Sequence, residues 1–158
     1  MADSVPGVPL SKARLRLWLK LLKSVNGIEA ELRRRLRDEH GTTLPRFDVM
    51  SALARFPDGL KMSELSSFLK VSNGNVTGIV DKLAAEGLAE RVAVPGDRRA
   101  QVARLTPKGR TSFAELADHH ETWIDDLLDG WSPADIDALS ARLDMVLNRQ
   151  TPEDNGNA

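Results

Sequence analysis

The chain has 158 residues, of which 22 are Lys or Arg and 23 are Asp or Glu, a net charge of −1, with 41% hydrophobic residues and no cysteine. That length suits a single domain with a real core, and the absence of cysteine excludes disulfides, thiolate metal sites and cysteine nucleophiles or redox switches. No apolar run approaches the roughly 18 residues of a membrane span, and Met1–Leu10 lacks the charged start and apolar core of a secretory signal, so a cytoplasmic protein with no membrane partner is expected.

In chain order, the first ten residues read as a loose tail, as do Thr151–Ala158. A long helix is expected over about Ser11–Glu39, because Leu15, Trp18, Leu19, Leu22, Val25, Ile28, Leu32 and Leu36 recur at three- and four-residue steps; His40-Gly41 ends it. A second helix spans about Pro45–Phe56, with Phe47, Met50, Leu53 and Phe56 as its apolar positions. A third runs from about Met62 to Leu69 with Leu65 and Leu69 on one face, and Lys70-Val71-Ser72 makes a turn. Ser72 can cap the next helix, which carries Val76, Ile79, Val80 and Leu83 and stops at Gly87. The segments Ala89–Val94 and Ala100–Leu105 flank Pro95-Gly96-Asp97-Arg98-Arg99, a hairpin whose tip projects two adjacent arginines. Thr106-Pro107 opens a fifth helix bearing Phe113, Leu116, Ala117, His120, Trp123, Ile124 and Leu127, which ends near Gly130. Ser132-Pro133 opens a last one with Ile136, Leu139, Leu143, Val146 and Leu147 inward. The expected fold is mainly α with a small β-hairpin wing: a winged helix-turn-helix over 45–105, flanked by dimerisation helices over 11–40 and 107–149, all in one domain over 1–158.

A helix-turn-helix followed by a basic hairpin points to duplex DNA. On the second helix of the pair, Asn73, Asn75 and Thr77 offer short amides and a hydroxyl to base edges. Lys70, Ser72 and Lys82 stand near enough for phosphates, and Arg98 and Arg99 reach from the wing toward a flanking minor groove or the backbone. The near-zero net charge is compatible with this once it is divided by segment. Residues 70–105 hold six basic and four acidic side chains, whereas residues 106–158 hold four basic and eleven acidic. Only local charge neutralises phosphate, and the acidity lies at the far end of the chain. The blander alternative is an ordinary solvated helix start and a soluble hairpin tip. Gly74 either permits close approach to the DNA backbone or is tolerated in a first turn, at a cost near 1 kcal/mol relative to alanine.

Two other clusters invite different chemistry. Asp118-His119-His120-Glu121 has adjacent histidines pointing about 100° apart, whereas helical metal ligands need three- or four-residue spacing. No metal and no cofactor is expected, and no glycine-rich phosphate loop or catalytic triad order stands out, so the chain does not read as an enzyme. Arg33-Arg34-Arg35 with Arg37 is a basic run that reads as a solvated helix face or as an anion site. A winged-helix protein-interaction or architectural module, without an effector, remains the reading from a different class.

The order and spacing of Ser72, Val76-Thr77, Val80-Asp81-Lys82-Leu83, Gly87-Leu88, Arg91, Asp97-Arg98-Arg99 and Leu105-Thr106-Pro107-Lys108-Gly109 resemble the MarR family of bacterial transcription regulators, over about Lys12–Arg149. The resemblance implies a homodimer on a pseudo-palindromic operator, acting as a repressor and released by a small molecule. It also implies an effector cleft where the first, second and fifth helices meet, which here would draw on Trp18, Leu22, Phe47, Met50 and His120, with Arg46 as a cation beside them. The segments Thr42–Asp48 and Val71–Gly78 look like a subgroup controlling aromatic-acid catabolism, some of whose members answer to aryl-CoA thioesters. Arg33, Arg34 and Arg37 would then meet the CoA phosphates.

Overall fold

In the computed structural model the described residues are 7–69 and 72–150, with the backbone alone described at 73 and 98. They form six helices and three strands: α1 (Leu10–His40), α2 (Leu44–Arg55), β1 (Leu60–Lys61), α3 (Met62–Leu69), α4 (Asn73–Ala85), β2 (Ala89–Val94), β3 (Asp97–Leu105), α5 (Pro107–Leu127) and α6 (Pro133–Gln150). The chain divides into two compact units, one through Trp123 and one from Ile124 onward.

Local signals set most of the boundaries. Gly41 adopts φ +61 and ends α1, where its N–H donates to the Arg37 carbonyl and the Thr42 N–H to that of Leu36. Thr43 caps α2 by accepting from the Arg46 N–H, and Pro45 sits in the first turn, where its missing N–H costs nothing. Ser72 caps α4 by accepting from the Asn75 N–H at 3.4 Å. Helices α1 and α2 start one residue earlier than the periodicity suggests, a difference within ordinary end fraying.

The core of the first unit gathers one face from each neighbouring element. Leu36 of α1, Val49, Met50 and Leu53 of α2, Leu65 of α3, and Val76, Val80 and Leu83 of α4 are buried, with Ala103 and Leu105 of the sheet. The sheet is antiparallel in the order β1-β3-β2. Strand β1 has only two residues, pairing Leu60 with Ala103 and Lys61 with Val102, too short for any alternation to announce it. In the β2–β3 hairpin Ala93 pairs with Gln101 but Val94 pairs with Asp97, so residues 98–100 bulge out of the ladder. The wing is therefore tighter than the sequence suggests. Its turn is Pro95-Gly96, with Gly96 at φ +85, and Asp97–Arg99 belong to β3 rather than to a loop.

The second unit holds the end of α5 and all of α6. Helix α6 has no buried residue, and Ile136, Leu143, Met145 and Val146 are exposed. The N-terminal half of α1 is likewise uncovered at Leu15, Trp18, Leu19, Leu22 and Val25. No described helix is long and apolar enough to cross a membrane.

One close approach fixes where α5 starts. A Cβ built on Gly109 would lie 1.8 Å from the Leu88 carbonyl oxygen, and that same oxygen accepts the Thr106 N–H. The contact is with backbone, so no rotamer change relieves it. Gly109→Ala is expected to destabilise the fold by about 2 kcal/mol or more, as overpacking against a fixed neighbour does. Urea titration checks this, and a variant as stable as the unmodified protein would contradict the packing.

Candidate nucleic-acid interface

Helix α4 has two unlike sides. Val76, Val80 and Leu83 are each fully buried and seat it on the core, while Gly74, Asn75, Gly78 and Lys82 are exposed and Thr77 is half-buried. Nothing lies within 4 Å of a Cβ built on Gly74 or Gly78, so their bare backbone forms an open surface. A cleft of about 480 Å³ runs beside this surface, between α4 and the start of α2, with Asp48, Asn75, Ile79 and Lys82 on its walls. The capped N-terminus at Ser72 presents unbonded N–H groups of the first turn, an arrangement that favours anions.

Of the residues expected to read DNA, Ser72, Asn75, Thr77 and Lys82 come together on one helix and its cap. Arg99 is exposed on the wing bulge, and its N–H donates to the Asp97 carboxylate at 3.1 Å, so Asp97 shapes the tip. Lys70 lies outside the described residues. Asn73 and Arg98 are placed by backbone only, in the first turn of α4 and at the bulge of β3.

Helix α4 is held from three sides. Arg91 of β2 pairs with Asp81 at 2.8 Å, joining wing to helix. The Arg46 guanidinium of α2 forks onto the Glu86 carboxylate at the C-terminal end of α4, Nη1 to Oε1 at 3.1 Å and Nη2 to Oε2, and holds that carboxyl below its usual range. At the start of α5, Lys108 Nζ donates to the Glu86 carbonyl and the Thr106 hydroxyl to the Gly87 carbonyl. The Arg46–Glu86 pair was invisible to sequence reasoning because its partners are 40 residues apart. No spacing rule would have found it.

The residues expected at an effector cleft are dispersed differently. Phe47 is buried, stacks on His120 with ring centroids 4.7 Å apart, and lies 5.6 Å from the Phe113 ring. Met50 is wholly buried core, whereas Trp18 and Leu22 are exposed on α1. Arg46 is committed to Glu86, and Arg34 to Glu31 at 2.6 Å and Asp38 at 3.4 Å. Arg33 pairs with Glu29 and Arg37 with Asp38, so the basic run is a ladder of local ion pairs. Hydrogen bonds from Arg34 and then Arg35 hold the Glu31 carboxyl at about 2.

The two adjacent histidines face separate neighbours. His119 Nδ1 lies 2.7 Å from His40 Nε2, and both rings lean on Trp123. His120 packs on Phe47 instead. Among the described residues no group of three or more His, Asp or Glu is arranged to hold a metal ion.

This two-sided helix, its cap and its basic hairpin define a winged helix-turn-helix. Comparisons with known proteins give it a family. The MarR family profile matches residues 40–100. The helix-turn-helix transcriptional regulator YkoM of Bacillus subtilis (strain 168) is 32% identical over 127 residues, covering 78% of this chain and 77% of YkoM. A MarR family transcriptional regulator from Silicibacter pomeroyi is 35% identical with a TM-score of 0.74, covering 91% of this chain and 99% of that one. Sco3205 of Streptomyces coelicolor, a MarR family regulator crystallised in complex with DNA, shares the fold at a TM-score of 0.78 and 22% identity, covering 98% and 97% of the two chains. The chain belongs to the MarR family of transcriptional regulators, and these relatives are regulators rather than enzymes.

Two neighbouring titratable groups, Asp48 of α2 and His120 of α5, depart from their ordinary values. Burial pushes the His120 pKa down, with the Asp48 carboxylate opposing the shift. Burial, then the neighbouring Glu29, pushes Asp48 up, with His120 and Arg33 opposing. The native protein thus binds fewer protons at His120 than the unfolded chain does, and stability from this group is full above pH 6.5 and lost as pH falls below it. Asp48 acts with the opposite sign, favouring the native state at low pH and less so as pH rises through its raised pKa. His120→Gln is therefore expected to flatten or reverse the fall in stability from pH 6.5 to pH 5, read as urea midpoints across that window. A slope identical to that of the unmodified protein would remove His120 as its source.

Proposed function

We propose that this chain is a transcriptional repressor that binds a pseudo-palindromic DNA operator as a homodimer and releases it when an aromatic acid or aryl-CoA thioester binds. The observation that carries the reading is the division of α4 into a fully buried apolar stripe and an exposed side bearing Asn75 and Lys82, with Ser72 at its capped start. Such a helix offers amide groups to base edges and a cation to phosphates, and Sco3205, which shares the fold, is crystallised in complex with DNA. Asn73, Asn75 and Thr77 then read the major groove, Lys70, Ser72 and Lys82 meet phosphates, and Arg98 and Arg99 reach the flanking minor groove. The joint between Arg91 and Asp81 supports wing and helix acting as one reading head.

The homodimer rests on apolar surface. Trp18, Leu19 and Leu22 on α1 are each 40% or more exposed, which is costly for large side chains in water and characteristic of an interface. Light scattering at micromolar concentration should give a dimer, and Leu19→Asp, on a site open in the protomer, should yield a folded monomer. A monomeric unmodified protein would end the proposal.

For the effector, the proposed aromatic contacts are Phe47 and His120, which stack on each other, and the apolar contacts from α1 are the exposed Trp18 and Leu22. Because Arg46 and Arg34 already hold carboxylates, an acidic effector must displace Glu86 or Glu31 to reach either cation. Release requires that the ligand favour a protein state that DNA does not.

A mobility-shift titration on the DNA flanking the gene tests both halves. Asn75→Ala should weaken specific binding by about 1–3 kcal/mol, and Lys82→Ala should weaken all duplexes alike and reduce the salt slope by about one. Normal binding by both variants would move the contacts elsewhere. Aryl-CoA thioesters and the matching free acids are then titrated against the complex, and if none lowers DNA affinity at millimolar concentration the effector reading fails.

A further inference from the structure

We propose that Arg46 is a positioning residue for DNA reading, acting through Glu86 to fix the pitch of α4 against the body of the protein. The inference rests on the DNA-binding reading above and concerns a residue that touches no DNA in that reading. Helix α4 pivots about its buried stripe. At 1.5 Å per residue, Glu86 lies about 9 Å along the axis from Val80 and Asn75 about 7.5 Å in the other direction. A displacement at the Glu86 end is therefore returned at nearly full size, and in the opposite sense, at the residues that face the bases. Base-edge hydrogen bonds tolerate only a few tenths of an ångström, so loose pitch removes specificity before it removes phosphate attraction.

The tether is built to resist such motion. The Arg46 side chain is only 19% exposed, its fork is two-pronged, and its Nε is buried without an acceptor, so the guanidinium depends on this carboxylate for its pairing. The pair is sheltered on the arginine side only, Glu86 being 49% exposed, and its restraint comes from the two-pronged geometry, which fixes both side chains more firmly than single contacts such as Arg33–Glu29 do. Arg46 stands in the first turn of α2, which Thr43 caps and whose Val49, Met50 and Leu53 lie in the core, so the anchor end is rigid. The Arg91–Asp81 pair holds the same helix from the wing side. Two ion pairs from different directions, five residues apart on α4, make a mount that one pair alone does not.

The test measures affinity for a duplex selected from a random pool by the unmodified protein and for a scrambled duplex of the same length, at one salt concentration. The quantity read is the ratio of the two affinities. Glu86→Ala, at a half-exposed helix end, and Arg46→Ala should each lower that ratio about tenfold, the scale of one misread base pair, with scrambled-duplex affinity nearly unchanged. The double variant should lose no more than the worse single one, because both remove one interaction. Glu86→Gln, which keeps shape and folding but not charge, should fall between. Unchanged ratios in the single variants, equal loss on both duplexes, or additive losses in the double variant each overturn the tether. An unmodified protein that does not discriminate between the duplexes overturns the DNA reading itself, and the tether with it.

Discussion

The apolar stripe Val76, Val80 and Leu83 is the contact on which the rest of the reading head depends. Each side chain is fully buried, and burying a side chain of this size contributes about 1.5–3 kcal/mol. That seat decides which side of α4 faces out, since the helical period then leaves Asn75, Gly78 and Lys82 nowhere but solvent. Apolar contact is non-directional, however, and leaves a helix free to slide and tilt on its seat. Direction comes from the polar contacts at its edges: the Ser72 cap, the Asp81–Arg91 pair and the Glu86–Arg46 fork.

The same division of labour explains how a chain of near-neutral charge is compatible with a polyanionic partner. The basic run on α1 is spent locally, Arg33 on Glu29, Arg34 on Glu31 and Asp38, Arg37 on Asp38, so it projects little field. Exposed Lys82 and Arg99 stand on the reading head itself. Position, rather than the net count, makes this surface receptive to phosphate.

Where the sequence was legible, the cause was local. Helix α3 falls at Met62–Leu69 as its periodicity implied, and α4 starts at the Ser72 cap and ends before Gly87, because caps and three- and four-residue spacings are properties of neighbouring residues. The wing was legible as a hairpin, but its bulge was not: which residues pair across the turn depends on register, and Val94 opposite Asp97 cannot be read from alternation. Strand β1 escaped notice because two residues carry no pattern. The contacts that organise the site join distant parts of the chain, with 40 residues between Arg46 and Glu86 and 79 between His40 and His119. Burial likewise depends on distant packing. Apolar periodicity marks Met50 and Trp18 alike, yet one is core and the other open surface.

Helix α4 is an uneasy helix by its own composition, and this gives its mounts a physical reason. Gly74 and Gly78 stand inside it, each costing about 1 kcal/mol relative to alanine. Neither glycine is required by a positive φ or by a close neighbour within the protomer, since nothing lies within 4 Å of a Cβ at either position. Both leave bare backbone on the open side of the helix. A cap returns about 1 kcal/mol, and the remainder must come from the seat and from the ion pairs at Asp81 and Glu86. A bare surface and a firmly mounted helix go together here, since a helix that carries two glycines draws more of its stability from its apolar seat and from the contacts at its edges.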